Sequence, residues 1–272
     1  MDLKGKVAVV TGGASGIGRG MAIAFAQQGA KAVVVSDIDI DNAREVADAI
    51  TAEGGAALAI ATDVSNEDSV KQLVAATEDA FGPVDLFCAN AGVLVLGGVH
   101  TPDDQWRRAF DINVMSHVYA ARAVLPGMVE RGDGYILITA SAAGLLTQLG
   151  AAPYSMSKHA AVSIAEWIAI TYSDTGVKVS CLCPQAVRTN IAAFLGLPPA
   201  EAVESDGSHA GNDGVLEPED VARVVIEGLA DERFLILPHP EVEEYERRRA
   251  NDRQRWLKGM RRQQARMGLP TF

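Results

Sequence analysis

The segment Tyr154-Ser155-Met156-Ser157-Lys158 sets a phenol and an ammonium four residues apart, which on a helix stacks them on one face. A free tyrosine titrates near ~10 and exchanges protons poorly at neutral pH. A neighbouring cation lowers that value by ~1–3 units, towards the range in which a phenol acts as an acid or base. The isolated pair is equally what a surface helix contact looks like. Its chemistry therefore depends on what accompanies it.

A second chemical signal lies near the start. The apolar run Val7–Val10 ends in Thr11-Gly12-Gly13-Ala14-Ser15-Gly16-Ile17-Gly18, and a helical pattern follows. Glycines let a βα turn approach a pyrophosphate closely, and the free N–H groups of the helix start favour negative charge. The spacing is G-x-x-x-G-x-G, with Gly12, Ser15, Gly16, Ile17 and Gly18 as the phosphate-cradling positions. Asp37 follows the second apolar run, 19 residues after Gly18. At that offset a carboxylate accepts hydrogen bonds from adenosine ribose hydroxyls and repels a 2′-phosphate. Neither Ser15 nor Ile38 supplies a compensating positive charge, so the residues favour NAD over NADP.

The elements that must position these groups are legible as alternating patterns. Continuous apolar runs occur at Val7–Val10, Ala32–Val35, Ala57–Ala61, Val84–Ala89, Tyr135–Thr139, Val177–Cys183 and Phe234–Leu237. Such runs suit strands buried on both faces of a parallel sheet. Helical patterns fall between them, at 16–28, 41–53, 66–81, 103–131, 154–174 and 217–230. Ser65 or Asn66 precedes one acidic first turn, Gly29 and Gly82 follow two helix ends, and Pro218 stands at a first helical position. Strand–helix alternation of this length indicates an α/β, doubly wound parallel sheet of about seven strands with helices on both faces.

Further strings join the tyrosine and the glycines. The fifth apolar run ends in Thr139-Ala140-Ser141, the fourth is followed by Asn90-Ala91-Gly92, and Asn113 lies in the helical stretch between them. Together with Asp63-Val64 and Pro184-x-x-Val187-x-Thr189, this ordered set resembles the short-chain dehydrogenase/reductase family in its short single-domain branch. The resemblance runs from residue 7 to 189 by motif, and to about 237 by element pattern. It implies a Rossmann-type fold and an NAD-dependent oxidoreductase interconverting a secondary alcohol and a ketone. By the same resemblance Tyr154 is the general acid/base, and Lys158 lowers its pKa and meets the nicotinamide ribose. Ser141 orients the substrate oxygen, while Asn113 holds a water linking Lys158 to solvent. Asp63 and Val64 would meet the adenine, Asn90 the adenosine side, and Val187 with Thr189 the carboxamide. Gln185 departs from the glycine usual after the proline, and Ser116 from a glycine three residues after the asparagine.

The expected pocket lining is Ala142, Ala143, Leu145, Leu146, Gln148, Leu94–Leu96 and a lid at 187–217, which is largely apolar and favours a hydrophobic or alicyclic substrate. A non-catalytic NAD-binding sensor or scaffold on the same fold is the alternative reading. Family members commonly pair through helices such as 103–131 and 154–174, which implies a homo-oligomer, dimer or tetramer.

The remaining features bound the protein from outside. With 24 basic and 35 acidic residues among 272, the formal charge is −11, which disfavours nucleic acid and anionic membrane as partners. Apolar residues make up 48% and charged residues 22%, enough for a sizeable core. Cys88, Cys181 and Cys183 are too few for a disulfide framework, the five histidines form no ligand cluster, and no metal site is expected. The amino-terminal run lacks a signal-peptide pattern, and no apolar stretch nears the ~20 residues that span a bilayer, so a cytoplasmic protein is expected. Residues 1–240 read as the catalytic domain. Residues 241–272 read as a long helical extension with nine basic against five acidic residues, lying on the domain or on another subunit.

Overall fold

The computed structural model describes residues 1–189, 191 and 213–269. Seven strands form one parallel sheet: β1 (Val7–Thr11), β2 (Ala32–Asp37), β3 (Ala57–Ala61), β4 (Leu86–Ala89), β5 (Gly134–Thr139), β6 (Val177–Leu182) and β7 (Leu235–Ile236). Their spatial order is β3-β2-β1-β4-β5-β6-β7. The order reverses between β1 and β4, where Val9 pairs with Val34 on one side and Phe87 on the other. In a doubly wound sheet the crevice beyond the strand ends at this reversal is where ligands bind.

Side chains alternate across the sheet, so the two faces build separate cores. Val9, Val34, Phe87, Ile136 and Ile138 face one core, which is closed by α3 (Glu67–Phe81), α5 (Ser116–Arg131) and α7 (Ala152–Thr171). Ala8, Val10, Val33, Val35 and Leu137 face the other, closed by α1 (Gly16–Gln27), α2 (Ile40–Ala52) and α8 (Pro218–Ala230). The helix starts follow local chemistry. Asp39 accepts the amide of Asn42 at the start of α2, and Asn66 accepts those of Asp68 and Ser69 at the start of α3. Cys181 and Cys183 share the first core with Val177 and Val179, as their alternation requires, and their sulfurs lie 3.8 Å apart.

Two helical stretches differ from the sequence pattern. The stretch 103–131 divides into α4 (Asp103–Phe110), a π-helical turn at Asp111–Met115, and α5. The π turn carries the buried Asn113, and one extra residue in a helical turn is a common device for re-aiming a functional side chain. The carboxy-terminal extension is two helices rather than one, α9 (Glu241–Asn251) and α10 (Arg253–Arg266). The chain breaks at Asp252, which leaves the helical conformation (φ −144°) and caps α10 by accepting the Arg255 amide. A short α6 (Ala143–Leu146) completes the frame. No helix among the described residues is long and apolar enough to cross a membrane.

Candidate active site

The glycine-rich turn is shaped by close backbone approaches. Gly12 has φ +65°, and a side chain there would press on the Ala91 backbone. A Cβ on Gly18 would sit 2.0 Å from the Gly12 carbonyl oxygen. Asn90 braces this turn from β4: its side chain donates to the Thr11 carbonyl at 3.0 Å, and its amide donates to the Thr11 hydroxyl at 3.0 Å. Asp37, at the end of β2, accepts the Ala14 amide at 3.1 Å and the Asp39 amide at 3.1 Å. These bonds hold its carboxylate beside the turn. Asp63 is fixed by the Ser65 amide and hydroxyl, at 2.9 and 2.6 Å. Thr189 lies against Gly16, where an added Cβ would meet its methyl at 2.9 Å.

The polar constellation is assembled from four elements. Ser141 follows β5, and its hydroxyl accepts the Ala143 amide at 3.1 Å. Tyr154 and Lys158 lie one turn apart on α7, with the ammonium 5.7 Å from the phenol ring centre. Lys158 donates to the Thr139 carbonyl at 2.9 Å. Asn113 is held on both sides: its oxygen accepts the Val93 amide, and its nitrogen donates to the Val93 carbonyl and the Ser157 hydroxyl. Gly92 sits between the last two residues, since a Cβ there would lie 3.2 Å from Asn113 Oδ1 and 3.3 Å from Lys158 Nζ.

Burial is the leading influence on both the phenol and the ammonium. Burial pushes the Tyr154 phenol above its ordinary value, and the hydrogen bond with Ser141 pulls it back down. Burial lowers the ammonium itself to about 8, while the nearby Cys183 and Cys181 oppose that fall.

One cavity of about 810 Å³ gathers these residues. Gly12, Ser15, Gly16, Ile17, Asp37, Asp63, Val64 and Asn90 line it, with Ser141, Tyr154, Lys158, Gln185, Val187 and Thr189. Gly18 and Asn113 act from behind the wall. Of the expected lining, Ala142, Ala143, Leu146, Gln148, Leu94 and Leu96 reach the cavity. Leu145 and Val95 do not. Leu145 turns into the first core, and Val95 packs with Val93 and Ala109, because neighbours in the chain point to opposite sides. Thr147 also lines the cavity, in a left-handed conformation (φ +74°), and the turn is pinned by Ser155, which accepts the Gln148 amide at 2.8 Å. Strain of this kind is a recurrent mark of functional sites. The supposed lid is described only at its ends, where Val187 and Leu216 pair; residues 190 and 192–212 lie outside the described residues.

Sequence reasoning missed the last wall. Trp256, Met260, Gln263 and Met267 of the carboxy-terminal segment line the same cavity. Their spacing marks one helix face, but nothing local says which surface that face meets. Among the described residues no group of His, Cys, Asp and Glu could hold a metal.

The parallel sheet, the glycine-braced crevice with Asp37 beside it, and the Ser141–Tyr154–Lys158 set define a dinucleotide-binding oxidoreductase framework. Residues 6–197 match the family model described as short chain dehydrogenase. The chain is 35% identical over 246 residues to the 1-deoxy-11-beta-hydroxypentalenate dehydrogenase of Streptomyces exfoliatus, covering 89% of this chain and 86% of that one. It is 34% identical to the cyclohexanol dehydrogenase of Acinetobacter sp., covering 85% and 90%. A short-chain dehydrogenase/reductase from Burkholderia phymatum, solved in complex with NAD, superposes with a TM-score of 0.84 at 34% identity, covering 93% of this chain and 95% of that one. The chain belongs to the short-chain dehydrogenase/reductase family, whose chemistry is oxidoreduction at CH–OH groups.

Proposed function

We propose that the protein is an NAD-dependent dehydrogenase that interconverts a hydrophobic, alicyclic secondary alcohol and its ketone. The observation that carries this reading is the convergence of Ser141, Tyr154 and Lys158 on the cavity that also receives the glycine-rich turn and Asp37. The turn suits a pyrophosphate, since Gly12 and Gly18 allow a tightly wound backbone that side chains would block, and the start of α1 follows it at the cavity. Asp37, oriented by the Ala14 amide, suits ribose hydroxyls and disfavours a 2′-phosphate. The Burkholderia phymatum neighbour in complex with NAD supports the same choice.

A bound nicotinamide supplies or accepts the hydride, and the protein's own groups handle the oxygen and its proton. Ser141 donates a hydrogen bond to the substrate oxygen and orients it. Tyr154 gives its proton to that oxygen in ketone reduction and removes it in alcohol oxidation. Lys158 keeps a positive charge at the site below pH about 8, which favours a phenolate once the phenol has released its proton. The alicyclic preference rests on Leu94, Leu96, Ala142, Ala143 and Leu146 in the lining. It is also supported by relatives named for cyclohexanol and hydroxypentalenate.

Trp167, 56% accessible, borders an apolar groove between α5 and α7, and Ile170, 76% accessible, lies three residues further along α7. That surface suits self-association as a dimer or tetramer.

The test is NADH formation from NAD across cyclic, terpenoid, steroid, fatty and polyol alcohols. Turnover is expected on the alicyclic members, and Tyr154→Phe is expected to lose about 10²–10⁴-fold in kcat while keeping NADH affinity. Equal turnover by the variant would remove Tyr154 from the mechanism. A protein that binds NADH yet oxidises nothing would favour a sensor instead.

A further inference from the structure

Helix α10 is unusual in where its apolar face goes. Trp256, Met260, Gln263 and Met267 follow a 4-3-4 spacing, which confines them to an arc of roughly 60° at 3.6 residues per turn. All four are half-buried and all four line the cavity of Ser141 and Tyr154. No side chain of α10 is fully buried, and none belongs to a packed core. The helix therefore covers the cavity without completing the hydrophobic interior. Its outer face carries Arg255, Lys258, Arg261, Arg262 and Arg266, all exposed.

The preceding segment fixes α10 beside the reacting groups. In α9, Val242 is fully buried in the first core. Tyr245 donates to Asp213 Oδ1 at 3.0 Å, and Gln185 donates to the other oxygen of the same carboxylate at 2.9 Å. Asp213 thus links the loop after β6 to the carboxy-terminal helices. Arg249 meets His159 Nε2 at 3.3 Å, one residue past Lys158 on α7. Beyond α10, Leu269 lies against Gly150, where an added Cβ would be 3.5 Å from its methyl, in the turn leading to Tyr154.

We infer that α10 is a specificity wall, and that Trp256, Met260 and Met267 select substrates with a bulky, multi-ring apolar body over single-ring alcohols. This rests on the dehydrogenase reading above. A one-ring alcohol at Ser141 and Tyr154 is covered by their neighbours Ala142, Ala143 and Leu146. A larger body extends to a second wall. Tryptophan offers that body a broad flat surface, and unbranched methionines adapt to rigid shapes at little cost.

The experiment compares kcat/KM for a polycyclic alcohol, such as a steroid or tricyclic terpenoid, with kcat/KM for cyclohexanol in the full-length enzyme. In Trp256→Ala and Met260→Ala the polycyclic-to-cyclohexanol ratio is expected to fall about tenfold or more, with NADH affinity unaltered. Trp256→Phe is expected to give an intermediate fall. Leu257→Ala, on the outer face and 50% exposed, is expected to leave the ratio within about twofold, which separates a pocket contact from general loosening of the helix. An unchanged ratio in the Trp256 and Met260 variants, or an equal shift in the Leu257 variant, would overturn the inference alone. A wild-type enzyme silent on every alcohol would overturn the dehydrogenase reading and this one with it.

Discussion

Lys158 is 2% exposed, and its ammonium donates a hydrogen bond to the Thr139 carbonyl at 2.9 Å. Burial lowers it from 10.5 to about 8, so the unfolded chain binds this proton more tightly than the folded one. Below pH 8 both states are charged, and folding carries the full penalty of burying the ammonium. Between pH 8 and 10.5 the folded lysine is neutral while the unfolded one still holds its proton, so stability rises with pH across that window. At 1.36 kcal/mol per unit, the gap between 10.5 and 8 corresponds to a penalty of about 3 kcal/mol at neutral pH, of which roughly 2 kcal/mol is relieved by pH 9.5. Lys158→Met keeps the aliphatic body and removes the charge. It leaves the Thr139 carbonyl without its donor, an offset that does not depend on pH. Urea unfolding of both proteins at pH 7 and 9.5 is the assay. The wild type is expected to gain about 2 kcal/mol relative to the variant over that interval, while the variant loses turnover. Parallel pH profiles, or a relative loss by the wild type, would refute the assignment of Lys158 as a buried, destabilising cation retained for chemistry.

Two further outcomes concern the cofactor and the assembly. Asp37→Ser is expected to reduce the preference for NADH over NADPH by about tenfold or more, because it removes a charge that would face a 2′-phosphate; fluorescence titration with both nucleotides checks this, and an unchanged ratio counts against Asp37. Trp167→Glu introduces a charge in the groove between α5 and α7 and is expected to shift the protein towards smaller species in sedimentation velocity. An identical distribution would move the interface elsewhere.

The alternation of apolar runs and helical patterns sufficed for the sheet, because strands covered on both faces must be apolar throughout and have few other places to go. The glycine spacing with Asp37, and Tyr154 with Lys158 one turn apart, were likewise local facts, fixed by backbone geometry over a few residues. The π turn at Asp111–Met115 was not legible, since its sequence reads as ordinary helix and the distortion serves the bonds between Asn113 and the distant Val93 and Ser157. Burial decided the electrostatics too: the same Tyr–Lys spacing on a surface would leave both groups near their ordinary values, whereas here desolvation raises the phenol and lowers the ammonium. The carboxy-terminal helices show the division most clearly. Composition marked Trp256 and Met260 as apolar positions on a basic helix, but the choice of surface depended on Val242, Tyr245 and Arg249 finding the first core, Asp213 and His159. Those partners are separated from them by tens of residues, and only the folded chain brings them within contact.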